Sequence, residues 1–293
     1  MTDASMPVPP IRPEFIVPVI DDDAITAVER PLSPWERIGN VEWVRRGLIL
    51  LVLGLLWESY AHFLDNSLMF PPLSEVLSAL WMEMLHGPLA LRVATSIQVL
   101  SMGYAIGIVA AGVLTTIAVS TRIGTDLLST LTAMFNPLPA IALLPLALLW
   151  FGLGSGSIVF VIVHSVLWAV ALNTHSGFLA VSETLRMTGQ NCGLRGLAYV
   201  GKILIPAAFP SILTGLKIGW AFAWRTLIAA ELVFGVSSRS GGIGWFIFEN
   251  RNRLETASVF AGLTMVIIIG LVVESVIFRT VERHTVRKWG MQR

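Results

Sequence analysis

The sequence predicts an all-α, polytopic membrane protein with six transmembrane helices. Three observations carry that class: 55% of the 293 residues are hydrophobic, only 13% are charged, and mean hydropathy is +0.74. Soluble domains run nearer about a quarter charged, which argues against a soluble globular enzyme. The formal charge, 20 basic less 19 acidic residues, is +1, and so balanced a chain has no bulk field to attract nucleic acid. Its one cysteine, Cys192, excludes an internal disulfide and any multi-thiolate metal site.

Along the chain, residues 1–44 differ from the rest. They hold Pro7, Pro9, Pro10, Pro13 and Pro18, the acidic run Asp21, Asp22 and Asp23, and 3 arginines against 8 acidic residues, a net of −5. A segment so polar and proline-rich predicts a cytoplasmic, largely disordered tail. Lacking a basic start followed by an apolar core, it is not expected to be a cleavable signal peptide. Its last stretch, from Trp35 to Val44, spaces apolar residues at three and four and predicts a short interfacial helix with tryptophans at headgroup depth.

Residues 45–293 then form the membrane domain. A helix crosses a bilayer in about 20 apolar residues, and runs of that kind lie at 46–63, 94–119, 125–151, 156–178, 209–235 and 257–279. The third is interrupted by Asn136-Pro137-Leu138-Pro139, so it is expected to bend or break there, with neighbouring helices or a lined cavity satisfying the freed carbonyls. With the N-terminus inside, 15 Lys and Arg fall on the cytoplasmic side; Arg92, Arg239, Arg251 and Arg253 fall outside and Arg225 within a span. That asymmetry predicts both termini in the cytoplasm. Two connections are long: one at about 64–93, facing outward, and one at about 179–208, facing inward.

Small residues recur every four positions at Gly103, Gly107 and Ala111 and again at Gly215, Gly219 and Ala223. Such faces let helix backbones approach closely, either inside one bundle or at a dimer seam. Ionisable groups at membrane depth are costly unless they meet a partner, water or the protein interior. Arg225 and Glu231 are six positions apart and do not share a helix face. Arg225 therefore either lines a polar passage that favours an anion or bonds between helices, and Glu231 reads mainly as a structural pairing. His164, alone on an apolar helix, reads as a bundle histidine with its hydrogen bonds satisfied.

Residues 196–202, Gly-Leu-Ala-Tyr-Val-Gly-Lys, mimic part of a phosphate-binding loop. The next residue is Ile203, without the hydroxyl that would hold Mg²⁺, and no buried strand precedes it. No ATP site, cofactor or metal site is expected in this chain.

The inward loop carries more information. It reads Met187-Thr188-Gly189-Gln190-Asn191-Cys192-Gly193, nine residues to Lys202, then Ile203-Leu204-Ile205-Pro206. This pattern predicts two short helical pieces separated by a turn. Gly193 lets the backbone reverse or a neighbouring chain approach, while Pro206 and Pro210 restart the chain as the next span.

These residues resemble the EAA loop of ABC importer permeases, with Met187-Thr188-Gly189 where that loop begins Glu-Ala-Ala. The stretch from Pro206 to Gly219 is similar to the nitrate/sulfonate/taurine branch of the family, as are Ala223-Trp224, Ala229-Ala230-Glu231, Gly242-Ile243-Gly244-Trp245 and the Leu138-Pro139-Ala140 region. The resemblance covers roughly residues 46–290. It implies a type I ABC importer permease-like bundle in the bacterial inner membrane, without enzymatic activity of its own. The implied partners are a second permease copy, two ATPase subunits, a periplasmic substrate-binding protein and membrane lipid. By the same resemblance, Met187, Thr188, Gly189, Gly193, Ile203 and Pro206 belong to the ATPase-coupling loop. Helices three and five are the expected walls of the path, with Pro137, Pro139, Trp220, Trp224, Arg225 and Glu231 as candidate path residues. The expected cargo is a small anion such as nitrate, taurine, an alkyl sulfonate or an aromatic acid. The rival expectation is an ion-coupled secondary carrier that works without an ATPase.

Overall fold

The computed structural model describes residues 41–234, 241–286 and 288. The acidic tail and residues 35–40 of the expected interfacial segment lie outside the described residues. Trp43 and Val44 belong instead to the first long helix, α1 (Glu42–Leu64). The chain divides into two units, Met1–Leu53 and Gly54–Arg293. Of the first, the described part is the opening half of α1, where Arg46 bonds Glu42 one helical turn away.

After α1 come α2 (Leu73–Leu85), α3 (Leu89–Ser120), α4 (Arg122–Phe135), α5 (Leu144–Phe151), α6 (Ser155–Leu179), α7 (Glu183–Asn191) and α8 (Gly196–Tyr199). Then follow α9 (Ile205–Phe234), α10 (Ile243–Asn252), α11 (Thr256–Val272) and α12 (Arg279–His284). Among the described residues five helical stretches are long and apolar enough to cross a membrane, and the bent pair around Pro137 makes a sixth. The six spans are those the hydropathy pattern predicts, and the chain is an all-α polytopic membrane protein.

Prolines shape two of them. The residue before a proline disfavours helical ψ, and proline has no N–H to continue the ladder. With Pro137 and Pro139 in succession, α4 stops at Phe135, and the chain resumes as a tight turn at Ala140–Leu143 that leads into α5. The two pieces meet at 86°. Pro206 acts more mildly and corrects one expectation: the fifth span does not restart there. The helix is continuous from Gly196 to Val233, and a wide turn at Val200–Leu204 immediately before Pro206 takes up the irregularity. Residues 196–202 are thus helix rather than a phosphate-cradling loop.

The connection at 64–93 holds α2, an element absent from the sequence reading. The Glu58 carboxylate near the end of α1 accepts bonds from the Ser74 N–H (3.1 Å) and hydroxyl (2.7 Å) in the first turn of α2, where a negative charge is favoured. Nearby in sequence, burial and the Glu255 carboxylate push the carboxyl of Glu83 upward.

The core of the bundle is α6, packed between α3 and α9. In lipid, helices associate through close packing rather than through the hydrophobic effect, and the two small-residue faces serve that purpose. A Cβ at Gly103 would lie 2.7 Å from Ile162 Cγ2, and one at Gly107 2.7 Å from Val166 Cβ. From α9, Gly215 and Gly219 approach Asn173 and Val170 in the same way, at 2.8 and 3.1 Å. Ile162, Val166 and Val170 form a ridge with the same four-residue repeat as the glycines, so ridge and groove mesh. Both faces are therefore spent inside one chain. Gly107→Leu is expected to cost about 1–3 kcal/mol through overpacking, seen as a lower thermal midpoint of the purified protein.

Candidate functional site

Beside the break between α4 and α5 lies a cavity of about 380 Å³. Asn136, Pro137, Leu138, Pro139, Ala140 and Ile141 supply one wall; His164, Ser165 and Trp168 come from α6; Phe222, Arg225, Thr226 and Ala229 come from α9. The break is what opens it: a continuous helix would carry its side chains past α6, whereas the 86° bend leaves the Asn136–Pro139 backbone facing a gap.

The cavity carries a cation without a carboxylate. Among the described residues no Asp or Glu lines it, while Arg225 does. Arg225 Nε donates to the Ala221 carbonyl one turn back (3.0 Å), and its guanidinium lies 5.1 Å from the centre of the Phe222 ring. Ser165 Oγ donates to Val161 O at 3.0 Å, so the 2.9 Å contact between Ser165 and Thr226 uses the Thr226 proton. The hydroxyls are committed to each other. By contrast, both ring nitrogens of His164 and the indole nitrogen of Trp168 are buried without a hydrogen-bond partner among the described residues. A buried polar group left in that state costs about 1–3 kcal/mol, so the expectation of a satisfied bundle histidine is overturned. Phe135 stacks on Trp168 at 5.5 Å and meets His164 edge-on at 6.4 Å, which holds both rings in place.

The loop at 179–208 is the second feature of the site. α7 ends in a two-bond cap: Leu194 N–H donates to Gly189 O (3.1 Å) and Gly193 N–H to Gln190 O (2.9 Å), with Gly193 at φ +74°. This left-handed closure reverses the chain and suits glycine. Gly193 realises the chain reversal, and within this chain a Cβ there would meet nothing within 4 Å. The close approach occurs instead at buried Gly189, where a Cβ would sit 2.9 Å from Ile203 Cγ1 and 3.2 Å from Tyr199. Gly189 and Ile203 thus join the two pieces of the loop into one unit. Arg186 ties that unit to the bundle by donating to the Val181 and Phe178 carbonyls (3.1 and 2.6 Å) at the end of α6. Sequence reasoning missed Arg186; a lone arginine seven residues beyond a span end is the signal that could have found it. Met187 and Leu197 stand out from the unit, 50% and 78% exposed, and Thr188 and Pro206 are also exposed.

Residues 103–285 match the family described as binding-protein-dependent transport system inner membrane component. The chain belongs to this family. Among relatives of this permease, a protein of Methanocaldococcus jannaschii assigned as an ABC transporter permease is 30% identical over 246 residues, 81% of this chain and 90% of that protein. The taurine transport system permease protein of Escherichia coli is 29% identical, covering 78% of this chain and 83% of its own. The nitrate import permease protein of Synechocystis is 29% identical, with coverage of 64% and 66%. The family match begins within α3 and takes in the α4–α5 break, the cavity and the α7–α8 loop.

Not every path candidate of the permease reaches the cavity. Pro137, Pro139 and Arg225 line it together. Trp220 and Trp224 stack on each other at 6.4 Å and turn toward other elements: Trp220 meets Tyr104 at 5.6 Å and Phe278 at 6.5 Å, and Trp224 Nε1 donates to Val266 O (3.3 Å). Glu231, only 4% exposed, accepts from Ser96 Oγ (2.8 Å) and from Gly244 N–H (2.8 Å), and Ser96 Oγ accepts in turn from Ile243 N–H (2.8 Å). Its carboxylate joins α3, α9 and the start of α10.

Proposed function

We propose that this permease forms half of the transmembrane path of an ATP-driven importer whose cargo is a small anion such as nitrate, taurine, an alkyl sulfonate or an aromatic acid. The observation that carries the reading is Arg225 in a carboxylate-free cavity at a broken span. Arg225 is exposed on the described chain, and its charge beside apolar walls draws an anion toward the cavity more strongly than it would in open water. The relatives named for taurine and nitrate transport support the same cargo class. Pro137 and Pro139 keep the wall open, and Arg225 selects by charge.

In this reading a second permease copy completes the path, two ATPase subunits hydrolyse ATP, and a periplasmic binding protein delivers the cargo. Both termini lie in the cytoplasm, which puts the α7–α8 unit on the ATPase side. The exposed Met187 and Leu197 give an ATPase apolar contacts, with Thr188 between them, while the Gly189–Ile203 contact and Pro206 pass movement of α7 into the long helix ahead. A carrier working alone has no use for such a docking unit, which disfavours the ion-coupled alternative.

The test is reconstitution in liposomes with the ATPase and the binding protein. Uptake of radiolabelled taurine, methanesulfonate or benzoate, or of nitrate, is expected only with ATP and all subunits present. Uptake by the permease alone, driven by an ion gradient, would overturn the assignment. Arg225→Gln is expected to lower uptake at least tenfold with assembly intact; an unchanged rate rejects selection by charge at this residue.

A further inference from the structure

We propose that the cavity holds a built oxyanion subsite inside the membrane, at which His164 and Trp168 donate to the same cargo headgroup as Arg225. The inference rests on the reading that this permease conducts an anion, and it assigns roles to two residues that reading leaves idle. His164 and Trp168 are four residues apart, one above the other on a single face of α6, and both line the cavity with Arg225 opposite on α9. His164 is the tenth residue of the 25-residue α6, some 14 Å from its start at 1.5 Å per residue, near the middle of the hydrocarbon layer.

Three facts point to an acceptor-only ligand. An indole N–H only donates, and so does a guanidinium; Arg225 spends its Nε on Ala221 and leaves its terminal nitrogens without a hydrogen-bond partner among the described residues. The lining holds no carboxylate, and its two hydroxyls are committed. The unpaired donors are therefore gathered at one cavity, where the Asn136 amide oxygen is the side-chain acceptor left among the described lining residues. A cation would leave those donors unanswered and a neutral polyol would bring hydroxyl protons with few acceptors to meet them, whereas a nitrate or sulfonate group offers three oxygens to three donor side chains. Leu138, Ile141 and Phe222 make the remaining surface apolar, and a cavity of this volume takes a headgroup with a short tail. The frame formed by Phe135 against both α6 rings fixes the donors in advance, so little ordering is required on binding.

The site gives the permease a selectivity step separate from that of the binding protein. Calorimetric titration of the full permease in lipid nanodiscs tests it, with sodium nitrate and sodium methanesulfonate as probes and choline chloride at matched ionic strength as the baseline. Saturable binding of at least one probe is expected. Trp168→Phe, which keeps a ring and removes the N–H, and His164→Phe are each expected to weaken it at least tenfold with little change in thermal midpoint. His164→Gln, which restores an N–H donor, is expected to recover most of the affinity. The proposal is overturned if neither probe binds saturably, or if both phenylalanine variants titrate like the unmodified protein. ATP-driven uptake that persists alongside such a result would leave the importer reading standing and remove only the subsite. Absence of ATP-driven uptake would strike the importer reading itself, whatever the titration shows.

Discussion

Glu231→Ala is expected to destabilise the folded permease by about 1–3 kcal/mol for each buried donor it leaves unpaired. The carboxylate takes the Gly244 N–H and the Ser96 hydroxyl, and Ser96 accepts the Ile243 N–H. Those two amides open α10, where the first turn has no intrahelical acceptors and a negative charge is favoured. Alanine leaves the Gly244 N–H and the Ser96 hydroxyl without an acceptor, while the Ile243 N–H keeps its bond to Ser96. No neighbouring side chain can refill the space, since a Cβ at Gly244 would already lie 2.6 Å from Glu231 Cβ. The check is the thermal midpoint in detergent together with the amount of protein in the membrane. Glu231→Gln, retaining one acceptor oxygen, is expected to fall between the two. An alanine variant that melts with the parent protein would show that α10 does not depend on this carboxylate.

Gly193→Val is expected to reduce uptake at least tenfold and to abolish stimulation of ATP hydrolysis by loaded binding protein, with normal amounts of permease in the membrane. The position is sterically open, so the effect is conformational. An L-residue in the left-handed region costs about 1–2 kcal/mol, and a β-branched one more. That strain is too small to unfold the bundle but large enough to break the two-bond cap and re-aim α7, with its exposed Met187, relative to the wide turn and Pro206. Gly193→Asn, which tolerates the left-handed region, is expected to keep most of the transport. Full coupling in the valine variant would reject the assignment of this loop to the ATPase contact.

Much of this was legible because a bilayer leaves the sequence few options. Backbone groups in lipid must be bonded internally, so an apolar run of sufficient length can only be a helix, and the six runs became spans near their predicted limits except the fifth, which begins earlier, at Gly196. The Pro137–Pro139 break was equally legible, because proline removes a donor wherever it sits. Pro206 was less so: its neighbours absorbed the missing bond in a wide turn, and the helix ran on. The α2 helix escaped notice because a short helix outside the hydrocarbon needs no long apolar run, and its Glu58 cap comes from another element.

The candidate site shows the same division. Arg225, Pro137 and Pro139 stood out as a charge and two chain breakers within apolar spans, and proximity in the fold joined them. Trp220, Trp224 and Glu231 stood out for the same kind of reason, yet helix rotation carries the tryptophans toward Tyr104, Phe278 and Val266 and Glu231 toward Ser96 and Gly244. His164 looked ordinary until its lack of any partner could be observed. By itself, the sequence determined the class of molecule, its spans, its broken third helix and its Gly193 turn, since each follows from local chemistry: transfer into lipid, a missing N–H, a missing Cβ. Only the tertiary structure decided which polar groups meet, that Glu231 is satisfied and that His164 and Trp168 are not, because hydrogen bonds between helices depend on rotation and depth that no single span encodes.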